Sequence, residues 1–268
     1  MGVVIASRSE DLKPSGPEPL KKNRLMAFAI PACASFFLLN PTWTILPGMY
    51  SKFFGLDLAL VASVIIYARF FDAFSDPVIG YLSDRHRRRG GGRKSWVVVG
   101  GLLTLTSAYF LYIPPENVSF EYYLLWSILF YLAFTIMDIP HAAWGGEISY
   151  NYHERSRVYS YRILFMNLGQ ILFFALPFLV LANGNEYTPR TLELGVYIAI
   201  PILFVSIVAA VFRGPNGTMR VSRQPDSIKR LLASVFKNRP LILFMSAYTF
   251  IGLAIGMWSG LLYFFLDG

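Results

Sequence analysis

The chain has 268 residues, of which 55% are hydrophobic and 15% charged, and its formal net charge is +8. So apolar a composition excludes a single soluble domain of this size. The single cysteine, Cys33, excludes an intrachain disulfide and a cysteine-based metal cluster.

Residues 1–24 hold Glu10, Asp11, Glu18 and three prolines. They lack the apolar core of a signal peptide and read as a cytoplasmic tail. Seven apolar runs follow, at 26–50, 58–82, 95–113, 122–146, 162–182, 194–212 and 241–266. Each has about the 20 residues that an α-helix needs to cross a bilayer. The first run contains Cys33, read as a small buried residue, and a polar break, Asn40-Pro41-Thr42-Trp43-Thr44. Asn40 in that break is a candidate substrate contact.

The second run carries Arg69, Asp72, Ser75, Asp76 and Pro77. At about 100° per residue, Arg69, Asp72, Asp76 and Gly80 share one helical stripe. Asp72 lies near mid-bilayer, with Asp76 about 6 Å closer to the cytoplasm. Asp138, in the fourth run, lies about as deep as Asp72. Each such charge costs about 2.5–3.5 kcal/mol at the centre of a membrane helix, so an ionisable residue there reads as a functional site. A salt bridge that only ties helices together is the plain alternative. It would account for one carboxylate, because Arg69 stands against Asp72, Asp76 and Asp138. Protons or a bound cation must offset the surplus. Pro77 cannot donate to the Ala73 carbonyl. That carbonyl, the Ser75 hydroxyl and two carboxylates offer oxygen ligands to a hard cation, which makes Asp72 and Asp76 candidate Na⁺ ligands. A bare proline kink is the alternative.

The next stretch, GYLSDRHRRRGGGRK, contains Gly80, Asp84, Arg85, Arg93 and Lys94. Gly80 would permit close helix contact, and Asp84 would pair with the basic residues at the cytoplasmic mouth. The third and sixth runs hold no charged side chain and are expected to face lipid, while the second and fourth face a polar cavity. Asn117-Val-Ser119 matches a glycosylation sequon. His141, one turn beyond Asp138, reads as a proton relay or a packing residue, and Trp144 as a packing or interfacial one. Arg162 opens the fifth run and either contacts a hydroxylated or anionic substrate or snorkels to the cytoplasmic surface. Residues 213–240 form a polar, basic connector in which SIKRLLASVFKNRP has helical spacing and is expected to lie on the membrane surface.

Lysine and arginine are distributed asymmetrically. Twenty-one lie in the N-terminal tail and in alternate loops, two (Lys52 and Arg190) lie in the opposite loops, and Arg69 lies within a run. The positive-inside rule then places the N-terminus in the cytoplasm. The net charge sets orientation and is no evidence of a nucleic-acid partner. A seven-helix receptor would put its N-terminus outside. No zinc-protease motif or nucleophile elbow marks an enzyme.

GYLSDR followed by GRK resembles the loop between the second and third helices of major facilitator superfamily transporters. RFFDAFSDPVIGYLSDR, DIPHAAWGGEIS, ERSRVYSYR, GMYSKFFGL and GMWSGLLYFFLD resemble segments of the glycoside–pentoside–hexuronide:cation symporter family, the relatives of melibiose permease. The likeness runs from about residue 25 to 268. It implies an all-α membrane protein built as a six-helix N-terminal bundle at 25–212, a connector at 213–240 and the first helix of a second bundle at 241–268. The rest of that second bundle would be the missing C-terminal half. It also implies alternating access in a multi-pass protein of a bacterial inner membrane, with no cofactor and with Na⁺ or H⁺ as coupling ion. On this resemblance Asp72, Ser75, Asp76 and Asp138 bind the cation, and Asp138, Arg69, Arg162 and Asn40 face a sugar or glycoside. Gly80, Asp84, Arg85, Arg93 and Lys94 serve the gate. Two departures weaken the sugar side: the first run has no carboxylate, and Ala142 stands where melibiose permease has a tryptophan. The same branch includes lysolipid carriers, so a lysolipid or other amphiphile is the alternative substrate.

Overall fold

The computed structural model describes residues 20–149, 151–180, 187–217, 233 and 236–267. Every element in them is an α-helix. They fall into two compact units that divide between Met219 and Arg220. The first holds α1 (Lys22–Thr44), α2 (Leu46–Phe54), α3 (Leu58–Arg88), α4 (Arg93–Tyr112), α5 (Phe120–Glu147), α6 (Tyr152–Phe174), α7 (Leu176–Val180) and α8 (Pro189–Arg213). The second holds α9 (Arg239–Asp267). The segment expected to lie on the membrane surface falls largely outside the described residues.

Among the described residues, five helices are long and apolar enough to cross a membrane: α1, α3, α4, α5 and α8. The bounds of the fifth expected crossing differ from its apolar run. The fifth was read as 162–182, but α6 starts at Tyr152, where Asn151 caps it by accepting from the His153 amide at 2.9 Å. Its first half carries Glu154, Arg155, Arg157 and Arg162, so only its second half is apolar. The helix breaks at Ala175, because Pro177 cannot donate to the Phe173 carbonyl and its ring crowds that turn. The seventh run, expected at 241–266, lies within α9, which spans Arg239–Asp267.

Proline also divides the first crossing. α1 ends at Thr44, and Ile45 donates to the Pro41 carbonyl at 2.9 Å. Pro47 then stands in the first turn of α2, where its missing N–H costs nothing. In α3 the expected boundary at residue 82 is too early. The helix runs on through Arg88, since arginine is a good helix former and its charge suits the carbonyl end. Gly90, at φ +88°, closes the turn that follows.

Lipid gives helices no hydrophobic reason to associate, so close backbone approach matters. α4 packs on α5 and α8, α1 on α6 and α8, and α3 on α5. Two glycines make the tightest crossings. A Cβ at Gly100 would overlap the Met137 backbone, and one at Gly169 would overlap the Cys33 carbonyl. Gly80 does not share this role: its Cβ would sit 3.9 Å from Ile139, an ordinary contact distance. The expectation of close packing there is corrected. Cys33 is buried, as expected. Of the five long helices α3 is the most exposed, with Phe70, Phe74 and Val78 on its outer face.

Candidate cation and substrate site

At the inner site α3 packs on α5, and Asp138 of α5 pairs with Arg162 of α6. Asp72 Oδ2 accepts from Arg69 Nη1 at 3.1 Å. The Arg69 guanidinium lies over the rings of Trp43 (4.7 Å) and Tyr131 (5.1 Å), so α1 and α5 both hold it through cation–π contacts. Asp76 Oδ1 accepts from Thr135 Oγ1 at 2.9 Å. Among the described residues no arginine or lysine pairs with Asp76. Asp138 pairs with Arg162 Nη2.

This pairing changes the charge count. Arg162 is buried and held by Asp138, so the snorkelling alternative is overturned. Two arginines now face three aspartates, leaving a surplus of one negative charge, which falls at Asp76. The earlier surplus of two omitted Arg162 because its partner is 24 residues away in sequence.

His141 is fully used in packing. Its Nδ1 lies 3.4 Å from Arg162 Nε, which can only donate, so Nδ1 accepts. Nε2 then carries the proton and donates to the Phe28 carbonyl at 2.8 Å. Phe28 also stacks on the ring, with centroids 4.5 Å apart. The proton-relay reading is withdrawn, and the packing reading stands. Trp144 is likewise buried, donating from Nε1 to the Pro215 carbonyl at 2.9 Å.

Three buried side-chain atoms have no hydrogen-bond partner among the described residues: Asp72 Oδ1, Ser75 Oγ and Ser127 Oγ. The first two belong to the candidate cation site. Buried polar atoms are almost always satisfied, so two orphans on neighbouring turns of α3 leave room for a further partner, a water or an ion. Asp72, Ser75 and Asp76 follow one another within about one turn of α3, and Thr135 joins Asp76 from α5, so the oxygens brought near one another are of the hard type that Na⁺ or a proton prefers. Asn40 is buried, and its Nδ2 donates to the Phe36 carbonyl at 3.3 Å.

Thr135, Tyr131 and Trp43 were not among the residues picked from sequence. Thr135 lies three residues before Asp138 and Tyr131 four before Thr135, which is one helical stripe. That spacing was the available signal.

A second polar cluster lies at the basic end of the bundle. Arg93 is buried and donates to Ser83 Oγ (2.7 Å), Asp84 Oδ1 (2.6 Å) and Glu147 Oε1 (2.9 Å). Arg87 Nε donates to Glu147 Oε2 at 2.9 Å, and its Nη2 to the Gly217 carbonyl at 2.9 Å. Lys94 reaches the carbonyls of Val211 (2.8 Å) and Gly214 (3.1 Å) and Asn216 Oδ1 (3.0 Å). Thus Arg93 joins Asp84 to Glu147 of α5, Lys94 reaches the end of α8, and Arg85 is exposed and stands apart. Glu147 and Arg87 were missed, because their partnership spans 60 residues and no local spacing announces it.

Comparison with known proteins identifies the family. The family model described as MFS/sugar transport protein matches residues 26–267. An uncharacterised symporter of Synechocystis, sll1374, is 33% identical over 157 residues, 54% of this chain and 29% of its own length. The inner membrane symporter YicJ of Escherichia coli is 26% identical over 227 residues, 82% of this chain and 49% of its own. A sodium-dependent lysophosphatidylcholine symporter of mouse is 31% identical over 139 residues, 47% of this chain and 26% of its own. A crystal structure of a peptide transporter, POT, superposes with a TM-score of 0.54 at 20% identity, covering 90% of this chain and 50% of that one, and shows the fold alone. The chain spans about half or less of the length of these curated relatives. It is an all-α, multi-pass membrane protein, and it belongs to the MFS/sugar transport protein family.

Proposed function

We propose that this chain is the N-terminal portion of a cation-coupled symporter that moves a sugar or glycoside by alternating access. One observation carries the reading. Asp76 faces a hydroxyl rather than an arginine, beside a buried Asp72 oxygen and a Ser75 hydroxyl that lack partners. A single Na⁺ or H⁺ would neutralise the site. Arg69, Asp138, Arg162 and Asn40 then bound the substrate side. Arg69 is the most accessible of the two arginines, with 45% of its side chain exposed, and could bind substrate hydroxyls. The missing C-terminal half would supply the facing wall. The Asp84–Arg93–Glu147 cluster would hold one conformation closed at the cytoplasmic mouth. The distribution of lysine and arginine supports a cytoplasmic N-terminus, and the similarity to the inner membrane symporter of Escherichia coli supports a bacterial inner membrane.

A second reading is favoured by the absence of a carboxylate in α1 and by the similarity to the lysophosphatidylcholine symporter. It keeps the cation site and replaces the sugar with a lysolipid. Uptake into vesicles carrying the full-length protein separates the two. An imposed Na⁺ or H⁺ gradient should drive labelled β-galactoside or pentoside uptake. Uptake of lysophosphatidylcholine alone favours the second reading, and gradient-independent uptake contradicts both.

A further inference from the structure

Arg85 and Arg89 are exposed, and no carboxylate among the described residues pairs with either. Both open onto a groove of about 630 Å³ between the end of α3 and the start of α4. The groove wall is apolar, formed by Leu82, Val99 and Ile136. Trp96 lines it as well, donating from its indole Nε1 to His86 Nδ1 at 2.9 Å. A Cβ at Gly91 would overlap the His86 ring, so this glycine lets the imidazole take that place.

We infer that this groove binds one anionic phospholipid, its phosphate on Arg85 and Arg89 and an acyl chain along Leu82 and Val99. The vertical order of the groove fits this ligand. Arg85 lies about 4.5 Å and Arg89 about 10.5 Å along the helix axis beyond Leu82, in the direction of the water. Trp96, bonded to His86 of the same turn as Arg85 and Arg89, lines the groove and is the residue type enriched where hydrocarbon meets headgroups. A phosphate accepts well from guanidinium groups, and a negative headgroup neutralises charge that the protein leaves uncompensated. A free phosphate would use the rim but leave the half-exposed Leu82 and Val99 uncovered.

The test is native mass spectrometry of the full-length protein released from detergent. It would be titrated with phosphatidylglycerol and with phosphatidylcholine of the same chains. The site predicts one preferentially retained phosphatidylglycerol. It also predicts that the Arg85→Gln/Arg89→Gln double variant weakens that affinity about 30-fold. A Lys21→Gln/Arg24→Gln control, with the same change in net charge on other exposed residues, should retain wild-type affinity. Inorganic phosphate at millimolar concentration should not displace the lipid. Equal retention of the two lipids, equal losses in the two double variants, or displacement by phosphate would each overturn the assignment.

Discussion

Arg162 and Asp138 form the ion pair on which the inner site depends, and burial sets its cost. Removing one partner leaves a charge with neither water nor counterion. Arg162→Ala should therefore destabilise the bundle by about 3–5 kcal/mol. The Arg162→Ala/Asp138→Ala double variant should lose less than Arg162→Ala alone. Thermal unfolding in detergent would measure this, and a double variant less stable than Arg162→Ala would contradict the pairing. Thr135→Val should act differently, because it keeps the shape of the buried side chain and removes the hydroxyl on Asp76, whereas Thr135→Ser keeps the hydroxyl and removes only a buried methyl group. Thr135→Val should weaken cation affinity with little change in stability, as read from cation-dependent substrate binding. The acidic half of the site could be read directly from sequence, since intramembrane aspartates are conspicuous. The partners of those aspartates could not be, because Arg162 lies on another helix and Thr135 looks like any small polar residue.

Among helices, the contrast between glycines is the sharpest consequence of the packing. Gly169→Ala would drive a methyl group into the Cys33 carbonyl of α1, which is backbone and cannot swing aside. It should lower thermal stability strongly or prevent folding. Gly80→Ala has room at 3.9 Å from Ile139 and should leave stability near wild type. Equal stability of the two variants would contradict the α1–α6 packing. The apolar runs located the long helices well, because twenty lipid-compatible residues leave few alternatives. The helix ends were less legible. α3 continues through a basic segment and α6 starts within a charged one, and hydropathy is blind to a helix made of arginine and glutamate. The breaks at Ile45 and Ala175 follow from Pro47 and Pro177. Yet Pro31, Pro77, Pro140 and Pro201 sit inside unbroken helices, so a proline alone does not announce a break.

At the scale of the whole molecule, the proposed function assigns the inner polar cluster the role of a binding site and the outer one that of a latch. Asp84→Asn and Glu147→Gln each loosen Arg93 without touching the inner site, and should slow uptake while leaving equilibrium substrate affinity nearly unchanged. Loss of affinity with normal turnover would contradict the latch. Cysteines at 89 and 117, in a chain whose Cys33 is replaced by serine, should label from opposite faces of the membrane. Labelling from the same face would contradict the topology. The central claim is that one uncompensated carboxylate, Asp76, sets the coupling stoichiometry. Cation and substrate binding are reciprocal, so each must strengthen the other by the same factor. The most direct measurement is equilibrium binding of radioactive Na⁺ to the purified full-length protein at several pH values, with and without substrate, compared with Asp76→Asn. The account predicts one Na⁺ per protein, or one proton taken up in its place, tightened by substrate and abolished in Asp76→Asn. Two ions per protein, or unchanged ion binding in Asp76→Asn, would contradict it.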